Sequence, residues 1–338
     1  MDTVFVNVNT NKLVNKKNNE IRINIYQSIS FIIALFYALF LSSLPLTVFK
    51  DRHNYLIYAE YSHDIIHKYL DSNILALFSN EPVWLALNIA LDFFFSADIT
   101  LRVIIFIPAF LVSYYTLRSE PHQFLWLLLI LFVPNIIKNH IIHLRQGVAI
   151  ACFLVAWFSK KKVLRIVLFS ITPFIHSSFF FVMGLFVLTN LMLRMRLSPS
   201  IRILVIAFCS ILTSFSLQWI ASLLGARQAN EYQFTGGEVS GLGFLFWLII
   251  LTIFCLQDKN FLREHAFEAN TIVYYLGTYF FIEVTARIFE STLLLVLLAG
   301  LKLTGWRRIF YLALLLFFTL YSYYLRIRQP WLGWGNGI

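Results

Sequence analysis

The chain has 338 residues, 59% of them hydrophobic and 13% charged, with a formal net charge of +10. A soluble domain carries roughly 25% charged residues, so a mean hydropathy of +0.74 excludes one and indicates an integral membrane protein. The excess of Lys and Arg gathers in short loops, where it reports topology rather than nucleic-acid binding. Aromatics reach 17%, with 35 Phe, so helix packing and lipid contact are both expected to be aromatic. Cys152, Cys209 and Cys255 lie inside apolar runs, which argues against a disulfide framework. The first twenty residues are polar and lack an apolar segment ending at a cleavage site, so no signal peptide is expected to be removed.

Residues 1–22 read as a polar cytoplasmic segment, and Ile25 to Val48 is the first run long enough to cross a bilayer. Residues 50–82 form a polar outer loop. Val83 to Phe95 is apolar but short, and Asn88 and Asp92 interrupt it. Leu101 to Leu117, Phe124 to Ile137 and Gln146 to Phe158 follow. Beyond the SKKK turn, Val163 to Leu193 is long for one crossing and allows two that turn near His176. Later runs are Ile201 to Leu223, Leu242 to Leu256, Thr271 to Ile282, Ile288 to Leu301 and Ile309 to Leu325, with an outer loop over 219–243. The expectation is an all-α polytopic protein of about ten to twelve transmembrane helices, a single integral membrane domain over residues 1–338.

The clusters Lys16/Lys17/Arg22, Lys160 to Arg165, Arg194 to Arg202, Lys259/Arg263 and Lys302 to Arg308 are assigned to the cytoplasm by the positive-inside rule. This makes Gln146 to Phe158 run inward and places His143, Arg145, His176 and Arg287 at the outer face. Parity is met if residues 83–95 form a re-entrant or interfacial segment, which is tolerated where backbone lines a protein cavity.

A charge at mid-bilayer costs about 2.5–3.5 kcal/mol on insertion scales, so the costly residues are candidates for function. Asp51, Arg52, Glu81, Lys138, His143, Arg145, His176, Arg227, Tyr232, Glu283 and Arg287 come from separate parts of the chain yet share one face under this topology. Arg145 stands out because Asn139, His143 and Gln146 surround it at helical spacing, in NHIIHLRQGVAIACF. His176 follows Pro173 and precedes two serines, where a histidine could also serve a turn. Arg287 could pair with Glu283 or Glu290 on one helix face. HDIIH at His63 to His67 has the histidine spacing of a zincin helix, but Asp64 stands where a glutamate is needed and no third ligand follows at motif spacing. An amphipathic outer helix is the simpler reading, and no metal site or cofactor is expected.

In order, DRHNYLIY at Asp51, NEPVWLALN at Glu81, HLRQGVAIACFLVAWFSKKK at Arg145, PFIHSSFFFVMGLF at His176 and TARIFE at Arg287 resemble the EpsG/Wzy-type polysaccharide polymerases of bacterial surface-glycan clusters. The Arg-Gln-x-x-Ala element, a basic turn and then His-Ser-Ser is the most specific part. The resemblance implies a GT-C-like glycosyltransferase of the bacterial inner membrane. It would join undecaprenyl-diphosphate-linked oligosaccharides, as donor and acceptor, at the periplasmic face, with the lipid bilayer as its solvent and a chain-length regulator as candidate partner.

Given that reaction, a cationic group should stabilise the departing diphosphate. Arg145 is the expected grip, with Arg287 or Arg227 assisting and Gln146 orienting Arg145. His176 is the leading base for the acceptor hydroxyl, with Asp51 and Glu81 as alternatives. His143 and Tyr232 complete the substrate-binding candidates, and Tyr55, Tyr58, Tyr61, Trp84 and Trp219 could stack on sugars or form an interfacial belt. A ligase, an acyltransferase or a lipid-linked oligosaccharide flippase are the competing readings. A flippase should show internal repeats and charges spread through the bundle.

Overall fold

The computed structural model describes residues 25–72, 74–223 and 240–336. It is 83% helical; among the described residues no strand forms beyond an isolated bridge between Phe49 and Gly335. The protein is an all-α polytopic membrane protein. α1 (Ile25–Ser43), α5 (Ala97–Ser119) and α11 (Pro199–Leu223) are long and apolar enough to cross a bilayer by themselves. α6 (Phe124–Leu131) and α7 (Pro134–Ile141) qualify only as a pair bent by 64°. The other apolar runs appear as shorter helices, among them α8 (Leu144–Phe158), α10 (Ser178–Arg194) and α12 (Leu242–Gln257).

Proline placement explains the breaks that shape the end of the bundle where His143 and His176 lie. Pro134 cannot donate to the preceding turn and pushes Val133 into an extended conformation, which produces the α6–α7 bend. Lys138 to His140 therefore sit on a short, tilted helix, and the chain breaks again at Ile142 and His143 before α8 begins. The two segments pack closely: a Cβ on Gly147 would fall 2.2 Å from the Asn139 carbonyl oxygen, so only glycine fits there. Between α9 (Lys162–Ile171) and α10, Pro173 sits in a short 3₁₀ turn that presents His176 at the corner. The long apolar run from Val163 to Leu193 is thus two helices with their turn at His176.

The outer segment expected at residues 50–82 is helical. α2 (Arg52–Ser72) buries Tyr55, Ala59 and Ser62, a one-face spacing, and packs against α4 (Pro82–Asp92). His63 and His67 stand on its solvent side, where the side chains of His63 and Asp64 are 70% and 79% exposed. α3 (Ile74–Ser79) links α2 to α4. With 11 residues, α4 is about 16 Å long, half the hydrocarbon thickness. Its Trp84, Leu85 and Asn88 are buried in protein.

At the centre lies α15 (Thr285–Gly300), buried at every position from Ile288 to Gly300, as expected of a helix apolar on all sides. α14 (Ala266–Thr278) packs beside it. An aromatic cluster joins α8, α9, α10 and α14: Phe153 lies 5.1 Å from Phe169 and 5.5 Å from Phe179, and Trp157 lies 5.5 Å from Phe267. After α16 (Gly305–Tyr324) the tail returns to the start of α2. Lys50 N–H donates to the Trp334 carbonyl at 2.9 Å, and Asn336 N–H donates to the Val48 carbonyl at 2.8 Å.

Candidate active site

Glu81 is the hub of the end of the bundle that holds Arg145 and His176. It precedes Pro82 at the start of α4 in the left-handed region, with φ 62° and ψ 54°. That conformation is costly for a residue with a Cβ, and it turns the carboxylate inward, where only 3% of the residue is exposed. Oε2 accepts from Arg145 Nη1, the two forming an ion pair. Oε1 lies 2.9 Å from His176 Nδ1 and accepts from the Ser177 N–H at 3.2 Å. Burial alone would raise this carboxyl, but the Arg145 guanidinium and the His176 hydrogen bond hold it well below the usual carboxylate range. An ionised carboxylate only accepts, so His176 donates from Nδ1, which leaves Nε2 as the ring nitrogen turned away from Glu81. Among the described residues that Nε2 is buried without a partner.

Arg145 is accordingly engaged. Its guanidinium also lies over the Tyr58 ring, 5.4 Å from the centroid, and Tyr58 and Tyr55 both pack against Trp84. Tyr55 and Trp84 are buried and so cannot stack on a sugar as expected, whereas Tyr61 and Trp219 are exposed.

Gln146 does not orient Arg145. Its side chain is buried and donates to the Arg287 carbonyl at 2.7 Å and to Ser291 Oγ at 3.0 Å. Ser291 Oγ lies 2.8 Å from Ser178 Oγ, closing a polar seam between α8, α10 and α15. Gln146 therefore fixes the first turn of α15, which carries Arg287. Among the described residues Arg287 has no ion pair; it is exposed and lines a shallow recess with His176, Ser177 and Ser178. Neither acid expected as its structural partner fills that role: Glu283 is exposed, and Glu290 is held by Lys138 Nζ at 2.6 Å and Asn135 Nδ2 at 2.8 Å.

His143 stands at the α7–α8 break, half-buried, within electrostatic reach of Lys138, Arg287, His176 and Arg145. Asp51 also has a left-handed backbone, φ 63°, but is exposed and acts through its carbonyl, which accepts from Tyr55 N–H at 3.2 Å. Arg227 and Tyr232 lie outside the described residues. The pairing of Glu290 with Lys138 was not visible in the sequence, where the i+3 spacing pointed to Arg287 instead. Arg52 is fully buried and donates from Nε to the Ile141 carbonyl at 2.6 Å, which ties α2 to α7.

Five basic groups thus converge with two carboxylates. Lys138 and Arg145 are neutralised by Glu290 and Glu81, and Arg287 with His176 remains facing the recess.

No curated protein and no solved structure matches the chain. The family model of the EpsG family matches residues 28–332, so the chain belongs to that family, the Wzy-type polysaccharide polymerases.

Proposed function

We propose that the protein is a membrane glycosyltransferase that polymerises lipid-diphosphate-linked oligosaccharides, undecaprenyl diphosphate being the carrier, at the periplasmic face of the inner membrane. Family membership supports a polysaccharide polymerase-like role. The observation that carries the chemical reading is the pairing, across one recess, of a histidine oriented by a buried carboxylate with an arginine that has no ion pair among the described residues.

In this reading His176 Nε2 takes the proton of the acceptor hydroxyl as its oxygen bonds to the donor's anomeric carbon. The bond from that carbon to the phosphate oxygen breaks, and the electron pair leaves on the diphosphate. Arg287 receives that growing charge, which a preorganised cation stabilises more in the transition state than in the ground state. Glu81 holds the histidine tautomer and shares in stabilising the imidazolium. Arg145 is reassigned from gripping diphosphate to fixing Glu81, because its Nη1 is already bound there.

The test is reconstitution of the purified protein with its lipid-linked repeat unit, reading the ladder of product lengths. Arg287→Ala should lower the rate by about 100–1,000-fold, with Arg287→Lys retaining part of it. A ladder unchanged by Arg287→Ala and by His176→Asn would overturn the assignment. A product that moves whole to another acceptor without lengthening would identify a ligase instead.

A further inference from the structure

α10 runs 17 residues away from His176, about 25 Å, and ends in a second concentration of charge. There α10 turns into α11, and α13 (Lys259–Glu264) comes alongside. Between them is a cavity of about 570 Å³ whose lining includes Arg196, Ser198, Arg202, Lys259, Asn260 and Arg263, and no carboxylate. Two acids adjoin the lining along the chain: Asp258 is turned to the start of α13, where it accepts from Phe261 N–H at 2.8 Å, and Glu264, exposed beyond Arg263, neither lines the cavity nor pairs with its cations. Among the described residues none of the four cations has an ion pair.

The positive-inside rule accounts for exposed cations at this end; it does not account for Arg202. That residue is only 3% exposed, and although Nη2 donates to the Leu262 carbonyl at 3.0 Å, Nε and Nη1 are buried with no partner among the described residues. Leaving guanidinium donors buried and unbound is unfavourable unless something else fills them. Arg263 stands within electrostatic range of Arg202 and repels it. Arg196 adds a second anomaly. It occupies the left-handed position after α10, φ 56°, where glycine is the least costly residue, and Leu197 N–H donates back to the Met192 carbonyl at 3.1 Å as in a glycine-ended helix. An arginine kept at such a position places its charge at the cavity.

We propose that this cavity is a binding site for a phosphate group, held by Arg196, Arg202, Lys259 and Arg263. Guanidinium forks match phosphate oxygens, and basic pockets between helices at the cytoplasmic end of a bundle suit anionic headgroups. The phosphate can come from a lipid headgroup or from a soluble phosphate; the recognising chemistry is the same. The site stands apart from the Glu81 cluster and does not depend on the reaction proposed for it.

Two arms distinguish the sources. In neutral detergent, the full-length protein is titrated with sodium phosphate against sodium chloride at matched ionic strength, with thermal melting and calorimetry as readouts. In nanodiscs of phosphatidylcholine with or without phosphatidylglycerol, native mass spectrometry counts retained lipid. Saturable binding in at least one arm is expected, phosphate alone indicating a soluble ligand, phosphatidylglycerol alone a headgroup, and mutual displacement a shared site. Arg196→Gly and Lys259→Gln should each weaken binding by about five-fold. Arg196→Gly should do so without lowering the melting temperature of the ligand-free protein, because glycine suits that backbone. No saturable binding beyond chloride in either arm, or unchanged binding by both variants, would overturn the proposal.

Discussion

The two ends of the bundle use positive charge in opposite ways. At the Glu81 end, Arg145 and Lys138 are each locked to a buried carboxylate, and Arg287 is left facing a recess with His176. At the Arg202 end, four cations surround a cavity that no carboxylate lines. Pairing at the first end builds a rigid frame that aims a few groups. At the second, convergence without pairing leaves a field that only an added anion can neutralise.

The strongest way to break that contrast is Glu81→Gln. It leaves Arg145 buried without its counter-charge, a loss of about 3–5 kcal/mol for a buried pair, and leaves one acceptor oxygen where Arg145 and His176 now use two; melting in detergent and the product ladder should both collapse. A variant that melts and polymerises like wild type would remove Glu81 from the frame. Arg287→Ala should cut polymerisation by about 100–1,000-fold yet leave the melting temperature unchanged, since the residue is exposed and has no ion pair among the described residues; a parallel fall in stability would make it part of the frame instead. Gly147→Ala forces a methyl into the Asn139 carbonyl and should destabilise the α7–α8 junction by about 1–3 kcal/mol, measured by melting. Arg196→Gly, at the other end, should stabilise the ligand-free protein by about 1 kcal/mol as left-handed strain is relieved; a loss of similar size would mean that its side chain holds the turn.

The smallest effect concerns acidity. A carboxyl held low in the folded state contributes stability above its ordinary value and loses it only as pH falls through the lower folded value. Glu81 should therefore add no slope between about pH 5 and 8, and a melting curve that falls there in wild type but not in Glu81→Gln would contradict its low setting.

Much of the fold was legible because costly residues interrupt apolar runs. Pro173 and His176 marked a turn inside an overlong run, and Asn88 with Asp92 marked a segment too short to cross. Arg145, His176 and Arg287 stood out for the same reason. What linear spacing does not carry is partner choice. Gln146 adjoins Arg145 in the chain but projects toward α15, because successive helical residues point about 100° apart. Glu290 lies at the right offset for Arg287 and is taken by Lys138, since burial rewards the shorter contact across helices. Glu81 drew weight as a costly acid, as part of a Glu-Pro element and as an alternative base; that it joins Arg145 and His176 depends on a left-handed backbone that a sequence does not display. Composition also cannot separate a tyrosine or tryptophan buried beside an ion pair from one lying at the membrane surface, which is why Tyr55 and Trp84 read as sugar platforms or members of an interfacial belt.

The hydrogen bonds that tie Val48 and Lys50 to Trp334 and Asn336 bear on biogenesis. They join the segment leading into α2 to residues synthesised almost a whole chain later, so they cannot form while the nascent polypeptide is still being inserted. The amino-terminal helices can enter the bilayer in order and Arg52 can reach the Ile141 carbonyl early, but the pairing of Val48 and Lys50 with the tail is completed only after Asn336 is translated.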